Sequence, residues 1–233
     1  RFAAEGAKVM VADLNAERAE SVASEVRAAG GEAAVAVADT SDAEQVEAMV
    51  AATVGEFGRV DACVAAAGIS HANYVSREPD EQRGNDRFDR GDMFLIDKSL
   101  ESWQKVLDVN LTGVMLTNQF VARAMVEQGD GGAIVNIASV AGKTALIASS
   151  DYCVPKSGVW MLTKCGAIEM GRFGIRVNAV GPGYIKTSMS GAVSNDERWV
   201  SACERETPLS RLGEPEDIAN ACLYLCLDES SFV

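Results

Sequence analysis

Two side chains suited to proton transfer, Tyr152 and Lys156, lie four residues apart in a segment with helical spacing. Residues at this spacing share one face of a helix. A free tyrosine titrates at about pH 10, and a neighbouring lysine cation favours the phenolate and lowers that pKa. Such a tyrosine can take a proton from an alcohol, or give one to a carbonyl oxygen, while hydride moves. The pair therefore predicts a proton-transfer centre.

The pair gains weight from the polar residues around it. On its own it is also compatible with a surface tyrosine and a lysine whose stem covers it. Ser139, however, ends the apolar run Ile134–Ala138, thirteen residues before Tyr152. Asn110 lies inside a predicted helix, where asparagine is unfavourable unless it has a task. These additions predict an active site rather than a chance spacing.

Apolar runs alternate with segments of helical spacing along the chain. We predict strands at Lys8–Asp13, Glu32–Asp39, Ala62–Ala67, Ala133–Ala138 and Arg176–Val180. We predict helices at Ala16–Ala29, from the caps at 40–42 to Phe57, and at Ser99–Gln128, Ser150–Gly171 and Glu214–Leu227. This order predicts an α/β fold: a doubly wound, Rossmann-type parallel sheet in three layers. Ligands of such sheets bind at the carboxyl ends of the strands, where Asp13, Asp39, Gly68, Ser139 and Gly181–Thr187 lie.

The composition narrows the classes of partner. A net charge of −13 disfavours nucleic acid and anionic membranes, which require a positive face. No apolar stretch reaches the roughly 18 residues of a membrane span. The six cysteines form no C-x-x-C pair, and His71 is the single histidine, so we predict no metal site and free thiols in a reducing cytoplasm.

The chain shows no repeat or linker, so we predict one domain over residues 1–233 with one insert. Residues 71–98 form this insert, which is charged and lacks periodicity. We expect either a solvated mobile loop or a lid or subunit contact. Arg1–Gly6 has the pattern of a final helical turn with a glycine cap, and Asp228–Val233 stops as an element begins, so we expect truncation at both ends.

The order and spacing of these motifs resemble the single-domain branch of the short-chain dehydrogenase/reductase family, over nearly the whole chain apart from residues 71–98. The resemblance implies that Asn110 holds a water in a proton path and that Ser139 hydrogen bonds the substrate oxygen. It implies that Tyr152 is the general acid/base and that Lys156 binds the nicotinamide ribose. The expected reaction is hydride transfer, without a metal, between NAD(H) and a secondary alcohol or ketone. Family members form tetramers or dimers, and we expect a homotetramer.

The resemblance also places the cofactor. Asp13 matches the acid that binds the adenosine ribose 2'-hydroxyl, and a carboxylate there repels a 2'-phosphate. No arginine follows it immediately, so NAD is favoured over NADP; a helix-capping aspartate is the alternative. The remaining expected contacts besides Tyr152 and Lys156 are Asp39 and Thr40 at the adenine, Ala66, Ala67 and Gly68 at a strand end, and Pro182, Gly183, Ile185 and Thr187 near the nicotinamide amide.

Three departures from the family pattern accompany this interpretation. The family's opening strand and glycine-rich phosphate loop would precede Arg1. Ala65 and Ala66 stand where two asparagines are usual. Pro155 precedes Lys156 and is expected to shift it relative to the tyrosine. Two alternatives remain open: a 3-oxoacyl-thioester reductase or sugar alcohol dehydrogenase of the same fold, and a non-catalytic dinucleotide-binding protein.

Overall fold

The computed structural model describes residues 1–74, 91–190 and 196–233. Its strands are β1 (Val9–Asp13), β2 (Ala33–Val37), β3 (Ala62–Ala65), β4 (Gly132–Ile137) and β5 (Ile175–Val180). Its α-helices are α1 (Ala16–Ala28), α2 (Ala43–Phe57), α3 (Leu100–Leu107), α4 (Gly113–Gln128), α5 (Ser150–Met170), α6 (Glu197–Glu206) and α7 (Pro215–Cys226). None of these helices is long and apolar enough to cross a membrane.

The described strands pair in parallel, which confirms the doubly wound α/β fold. β1 pairs with β2, and β4 lies between β3 and β5. Four consecutive β4 residues, Ala133 to Asn136, are buried. Because successive side chains of a strand point to opposite faces, helices must cover both faces of β4.

A buried polar network fixes β4 between two helices. Asn136 of β4 exchanges side-chain hydrogen bonds with Asn118 of α4, at 2.7 and 3.1 Å. It also donates to Thr163 of α5 at 3.0 Å. Since unpaired buried amides are costly, these bonds specify how the two helices register against the strand. The strand's carboxyl end, which precedes Ser139, is therefore held from both sides.

Two helix predictions differ from the structure. The single helix expected over 99–128 is divided into α3 and α4 by a π-helical turn at Asp108–Thr112. Turns of this kind widen the helix by one residue and often occur at functional sites. The second difference is α6, which lies in a segment where we predict no helix. Asp196 caps it by accepting from the Arg198 backbone, so a local signal was present.

Candidate active site

The carboxyl ends of β3, β4 and β5 bring the predicted reaction residues together. The loop after β5 lies against the end of β4, because the Val140 backbone N–H donates to the Pro182 carbonyl at 3.0 Å. Lys156 reaches the same place from α5, where its Nζ donates to the Ile137 carbonyl at 2.8 Å. An apolar cluster that includes Ala138 and Val159 packs beneath this edge.

Tyr152 and Lys156 share one face of α5, as their spacing predicts. The helix runs without a break through Pro155, so the expected displacement of Lys156 is wrong. Pro155 is the sixth residue of the helix and is fully buried. The lysine Nζ lies 5.7 Å from the centroid of the Tyr152 ring. Tyrosine and ammonium are thus close, although the ammonium itself bonds to a backbone carbonyl.

The pKa of Tyr152 departs from the sequence expectation. Burial raises this pKa above its ordinary value, a hydrogen bond with Ser139 opposes the rise, and Cys153 adds to it. The pKa of Lys156 is lowered to about 8, because burial disfavours its charged form. Lys156 is not among the causes of this shift, so its effect on the pKa of the tyrosine stays a prediction. Burial is the largest cause of the shift in both groups.

Ser139 accepts hydrogen bonds through both its side chain and its backbone carbonyl. Its Oγ accepts from the Ala141 backbone N–H at 3.1 Å and is 8% exposed as a residue. Its carbonyl accepts from the indole N–H of Trp160 at 3.1 Å. Trp160 was not among the predicted site residues. It follows Lys156 by four residues on the same helix, so the spacing that singled out Tyr152 and Lys156 also reaches it.

Trp160 also packs into slots left by two glycines. A Cβ at Gly181, on the loop after β5, would lie 2.5 Å from its ring, and a Cβ at Gly142 would lie 2.7 Å from it. Real Cβ atoms do not approach this closely, so both positions require glycine. The ring of Trp160 therefore joins α5 to the loops that follow β4 and β5. Lys143 covers the ring, with Nζ 4.0 Å from its centroid.

Asn110 lies in the π-helical turn and is fully buried. Its side-chain amide donates to the Ile69 carbonyl at 2.7 Å and accepts from the Ile69 N–H at 2.8 Å. These two hydrogen bonds fix the backbone just after β3. A Cβ at Gly68 would lie 3.1 Å from Asn110 Oδ1 and 3.6 Å from Lys156 Nζ. The structure thus brings Asn110 and Lys156 to the same glycine.

The predicted adenosine end of the site begins at Asp13, the last residue of β1. Its Oδ1 accepts from the Asn15 backbone N–H at 2.8 Å. Asn15, not Asp13, is the N-cap of α1. Arg18 of α1 places a guanidinium nitrogen 3.5 Å from the same oxygen. An arginine therefore does reach Asp13, five residues later in the chain, where the sequence offered none directly adjacent.

Asp39 and Thr40 follow β2 and are held by local contacts. Asp39 Oδ1 accepts from the backbone N–H and hydroxyl of Ser41, at 2.9 and 2.6 Å. Thr40 faces the start of α4, since a Cβ at Gly113 would lie 2.9 Å from its Oγ1. The carboxylate shapes its own turn, and the threonine packs on a helix terminus.

The segment after β5 runs from the reaction centre towards α7. Ile185 pairs with Gly213 in an isolated parallel bridge, and Gly213 donates to the Tyr184 carbonyl at 2.9 Å. Gly183 and Thr187 are exposed. The Thr187 N–H donates to Ser190 Oγ at 3.1 Å. Of the four residues predicted here, the structure places the Pro182 carbonyl directly beside the end of β4.

The residues present fit a nicotinamide dinucleotide. Ala66 and Ala67, which follow β3, are exposed and carry small side chains, so a flat ligand can approach the strand end. Gly68 has no side chain where one would meet the buried amide and ammonium. Lys156 uses one N–H on Ile137, and an ammonium has three donors. Ribose hydroxyls are suitable acceptors for the others.

Comparison with known proteins agrees with this arrangement. A family profile described as enoyl-(acyl carrier protein) reductase matches residues 1–233. The chain is 34% identical over its full length, and over 84% of the relative, to a 2,5-dichloro-2,5-cyclohexadiene-1,4-diol dehydrogenase of Sphingobium indicum. It is 36% identical to a cyclohexanol dehydrogenase of an Acinetobacter species, covering 100% of this chain and 82% of that protein.

Two further similarities bear on substrate and cofactor. A 3-oxoacyl-(acyl-carrier-protein) reductase of Thermotoga maritima is 34% identical, with 100% of this chain and 85% of the relative covered. The crystal structure of a gluconate 5-dehydrogenase from Burkholderia cenocepacia, in complex with NADP and tartrate, superposes with a TM-score of 0.84. That match has 30% identity and covers 100% of this chain and 83% of the other.

The chain belongs to the short-chain dehydrogenase/reductase family. It is an oxidoreductase that transfers hydride between a nicotinamide dinucleotide and a secondary alcohol or ketone.

Proposed function

We propose that the protein interconverts a cyclic secondary alcohol and its ketone with NAD, and that Tyr152 is the general acid/base. The observation that carries the proposal is the joining of Tyr152, Ser139 and Lys156 at one strand end. The Ser139 side chain acts on the Tyr152 hydroxyl and lowers its pKa, and Lys156 lies beside the tyrosine ring on the same helical face. A proton donor, a second hydroxyl and a cation in this arrangement suit a carbonyl oxygen that gains or loses a proton.

The residues act on the substrate oxygen in a defined way. In oxidation the Tyr152 oxygen takes the alcohol proton, and in reduction it returns a proton to the carbonyl oxygen. The Ser139 hydroxyl hydrogen bonds the same oxygen and holds it at the tyrosine. Lys156 stabilises the phenolate by its charge, and Asn110 fixes the backbone beside it. The bound nicotinamide dinucleotide supplies the hydride acceptor or donor.

The preference for NAD rests on the charge at the adenosine end. Asp13 is 40% exposed at the end of β1, and its carboxylate repels a 2'-phosphate. Asp39, Thr40, Ala66, Ala67 and Gly68 complete the proposed adenosine side, and Pro182, Gly183, Ile185 and Thr187 the nicotinamide side. Arg18 weakens the preference because its cation attracts phosphate, and the similar gluconate dehydrogenase structure holds NADP.

A cyclic apolar substrate is supported by two observations. Two similar proteins are dehydrogenases of a cyclohexadienediol and of cyclohexanol. The loop between Ser139 and Tyr152 exposes Leu146 and Ile147, at 40% and 85%. A second candidate, the reduction of 3-oxoacyl thioesters, is favoured by the similar Thermotoga maritima reductase. Parallel turnover assays with cyclohexanol and a 3-oxoacyl thioester separate the two.

We also propose that the protein is a homotetramer in the cytoplasm. The outer faces of α4 and α5 form an apolar groove of about 810 Å³, where Ile168 is 83% exposed and Phe173 is 39% exposed. A second copy would cover this apolar surface. All six cysteines are free thiols, which suits a reducing compartment. Light scattering measures the assembly.

Substitution of Tyr152 by phenylalanine tests the proposed function. We expect kcat for cyclohexanol oxidation with NAD to fall about 10²- to 10⁴-fold, because the proton acceptor is lost. NADH binding, measured by fluorescence titration, should stay within about twofold of the unmodified protein because the ring remains. In the unmodified protein, kcat for oxidation should rise with pH, since burial raises the pKa of Tyr152 and the base is its deprotonated form.

Tyr224→Phe is the matched control, because Tyr224 lies on α7 and is 50% exposed. It should leave both readouts unchanged. Near-normal turnover by the Tyr152→Phe protein, with NADH still bound, would remove the tyrosine from the mechanism.

A further inference from the structure

Lys98 and Asp151 form a buried ion pair beside the active site. Lys98 Nζ lies 2.9 Å from Asp151 Oδ2, and the two side chains are 6% and 2% exposed. The other ion pairs among the described residues have side chains at least 23% exposed. Burial of two opposite charges is costly unless they are paired, so each of these residues depends on the other.

The pair joins two elements that carry the proposed chemistry. Asp151 directly precedes Tyr152 in the first turn of α5. Lys98 directly precedes Ser99, the N-cap of α3, and α3 leads into the π-helical turn that holds Asn110. The lysine is itself anchored, because the Ser99 N–H donates to Asp92 Oδ1 at 2.5 Å. Lys98 is also the last residue of the charged insert, and its side chain is buried whereas Leu95 and Ile96 before it are 67% and 75% exposed.

The first turn of α5 receives little support from its own sequence. In the described residues, its N-cap Ser149 makes no side-chain capping bond, and the buried Ser150 Oγ has no hydrogen-bond partner. Ala148, just before it, has a φ of +56°, which is unfavourable for a residue with a Cβ. Pro155 has no N–H, so it cannot donate to the Asp151 carbonyl four residues earlier. A contact from outside the helix must therefore hold this turn.

We infer that Lys98 and Asp151 are a positioning pair that holds the first turn of α5, and with it the Tyr152 hydroxyl, against Ser139. The inference rests on the proposed role of Tyr152. A charged hydrogen bond is directional, whereas an apolar contact lets the turn slide or rotate while remaining buried. The pair thus orients the first turn of α5, which has no side-chain cap and lacks the backbone hydrogen bond that Pro155 cannot donate.

Lys98→Met, Asp151→Asn and the apolar double variant Lys98→Met/Asp151→Leu test the pair. Each single variant should lower kcat for cyclohexanol about tenfold to a hundredfold, because a small misplacement of the base is costly. The KM for NAD should be unchanged. Hydrogen exchange at the amides of Tyr152 and Cys153, which donate to the Ser149 carbonyl, should become faster. Lys98→Arg, which keeps the charge, should recover most of kcat.

The double variant separates positioning from stability. Apolar replacement of a buried pair often preserves folding, so its thermal midpoint should match or exceed that of the unmodified protein. We expect kcat to stay low and exchange to stay fast. Recovery of both would show that any packing suffices and overturn the inference, as would single variants with normal kcat and exchange.

The matched control is the exposed pair Lys8 and Glu32, whose side chains are 53% and 65% exposed. Lys8→Met should change neither readout. Exchange is measured without substrate, so it judges the pair even if the unmodified protein does not oxidise cyclohexanol. Inactivity of the unmodified protein would count against the proposed function alone.

Discussion

The reaction end and the adenosine end of the site are built in different ways. At the reaction end, Asn110 bonds Ile69 across 41 residues of sequence, and Lys156 bonds Ile137 across 19. At the adenosine end, Asp13 bonds an amide two residues on, as does Asp39. The reaction residues are therefore positioned by the tertiary fold. The adenosine carboxylates are positioned by the turns in which they lie.

Burial follows the same division. Lys156 is 4% exposed, whereas the Asp13 side chain is 40% exposed. Charges act strongly over short distances where water is excluded, and solvent and salt screen them at a surface. A single change should therefore have a large effect on chemistry at the reaction end. At the adenosine end it should alter cofactor preference and little else.

The largest effect is expected for Lys156→Met. Activity should fall about 10³-fold or more, because the cation beside the tyrosine is lost. Stability should rise at neutral pH. A pKa of about 8 in place of 10.5 corresponds to a penalty of about 3 kcal/mol for the buried charge. The lost bond to Ile137 offsets about 1 kcal/mol, so the net gain should be about 2 kcal/mol. Urea unfolding measures it.

The stability gained by Lys156→Met should depend on pH in a defined direction. The folded pKa of Lys156 is depressed, so between about pH 8 and 10.5 the unfolded chain binds more protons and stability rises with pH. The advantage of Lys156→Met should be full below about pH 8 and fade by about pH 10.5. Lys164→Met, at an exposed position of the same helix, is the control and should show neither effect. A variant less stable at pH 7 would contradict the penalty.

The difference between the two ends also explains which features of the structure could be predicted from the sequence. Local patterns predicted the parallel sheet and a cap of α2 within residues 40–42, because periodicity and short-range hydrogen bonds determine them. The placement of Tyr152 and Lys156 on one helical face also follows from spacing. Pro155 was expected to disturb it, but the helix around it runs on without a break.

Contacts between distant segments could not be predicted from local sequence patterns. Nothing in the sequence near Lys98 indicates that its ammonium meets Asp151, 53 residues later. The raised pKa of Tyr152 depends on burial, which only the assembled fold determines. Arg18 is not adjacent to Asp13 in sequence, but the first turn of α1 brings its guanidinium back to the carboxylate. The charged stretch 75–90 of the insert lies outside the described residues.

An intermediate effect is expected for Trp160→Phe, which keeps the ring and removes the N–H that holds the Ser139 carbonyl. Loss of one such hydrogen bond is worth about 1 kcal/mol, so kcat should fall about fivefold to tenfold, with the melting temperature nearly unchanged. Trp160→Leu, which also empties the space beside Gly181, should lower both kcat and the melting temperature further. Trp103→Phe on α3 is the control. Normal kcat in Trp160→Phe would assign the tryptophan to packing alone.

The smallest effect is expected at Asp13 and Arg18, where exposure screens the charges. Asp13→Asn should lower the ratio of kcat/KM for NAD to that for NADP about threefold, because the repulsion of a 2'-phosphate disappears. Arg18→Ala should raise the same ratio by a few fold, since a cation 3.5 Å from the carboxylate is removed. Both shifts should shrink in about 0.5 M salt, and kcat with saturating NAD should not change. Asp61→Asn, at an exposed site near β3, is the control. If neither substitution changes the ratio, cofactor selection lies elsewhere in the protein, and the Asp13 carboxylate only shapes its own turn.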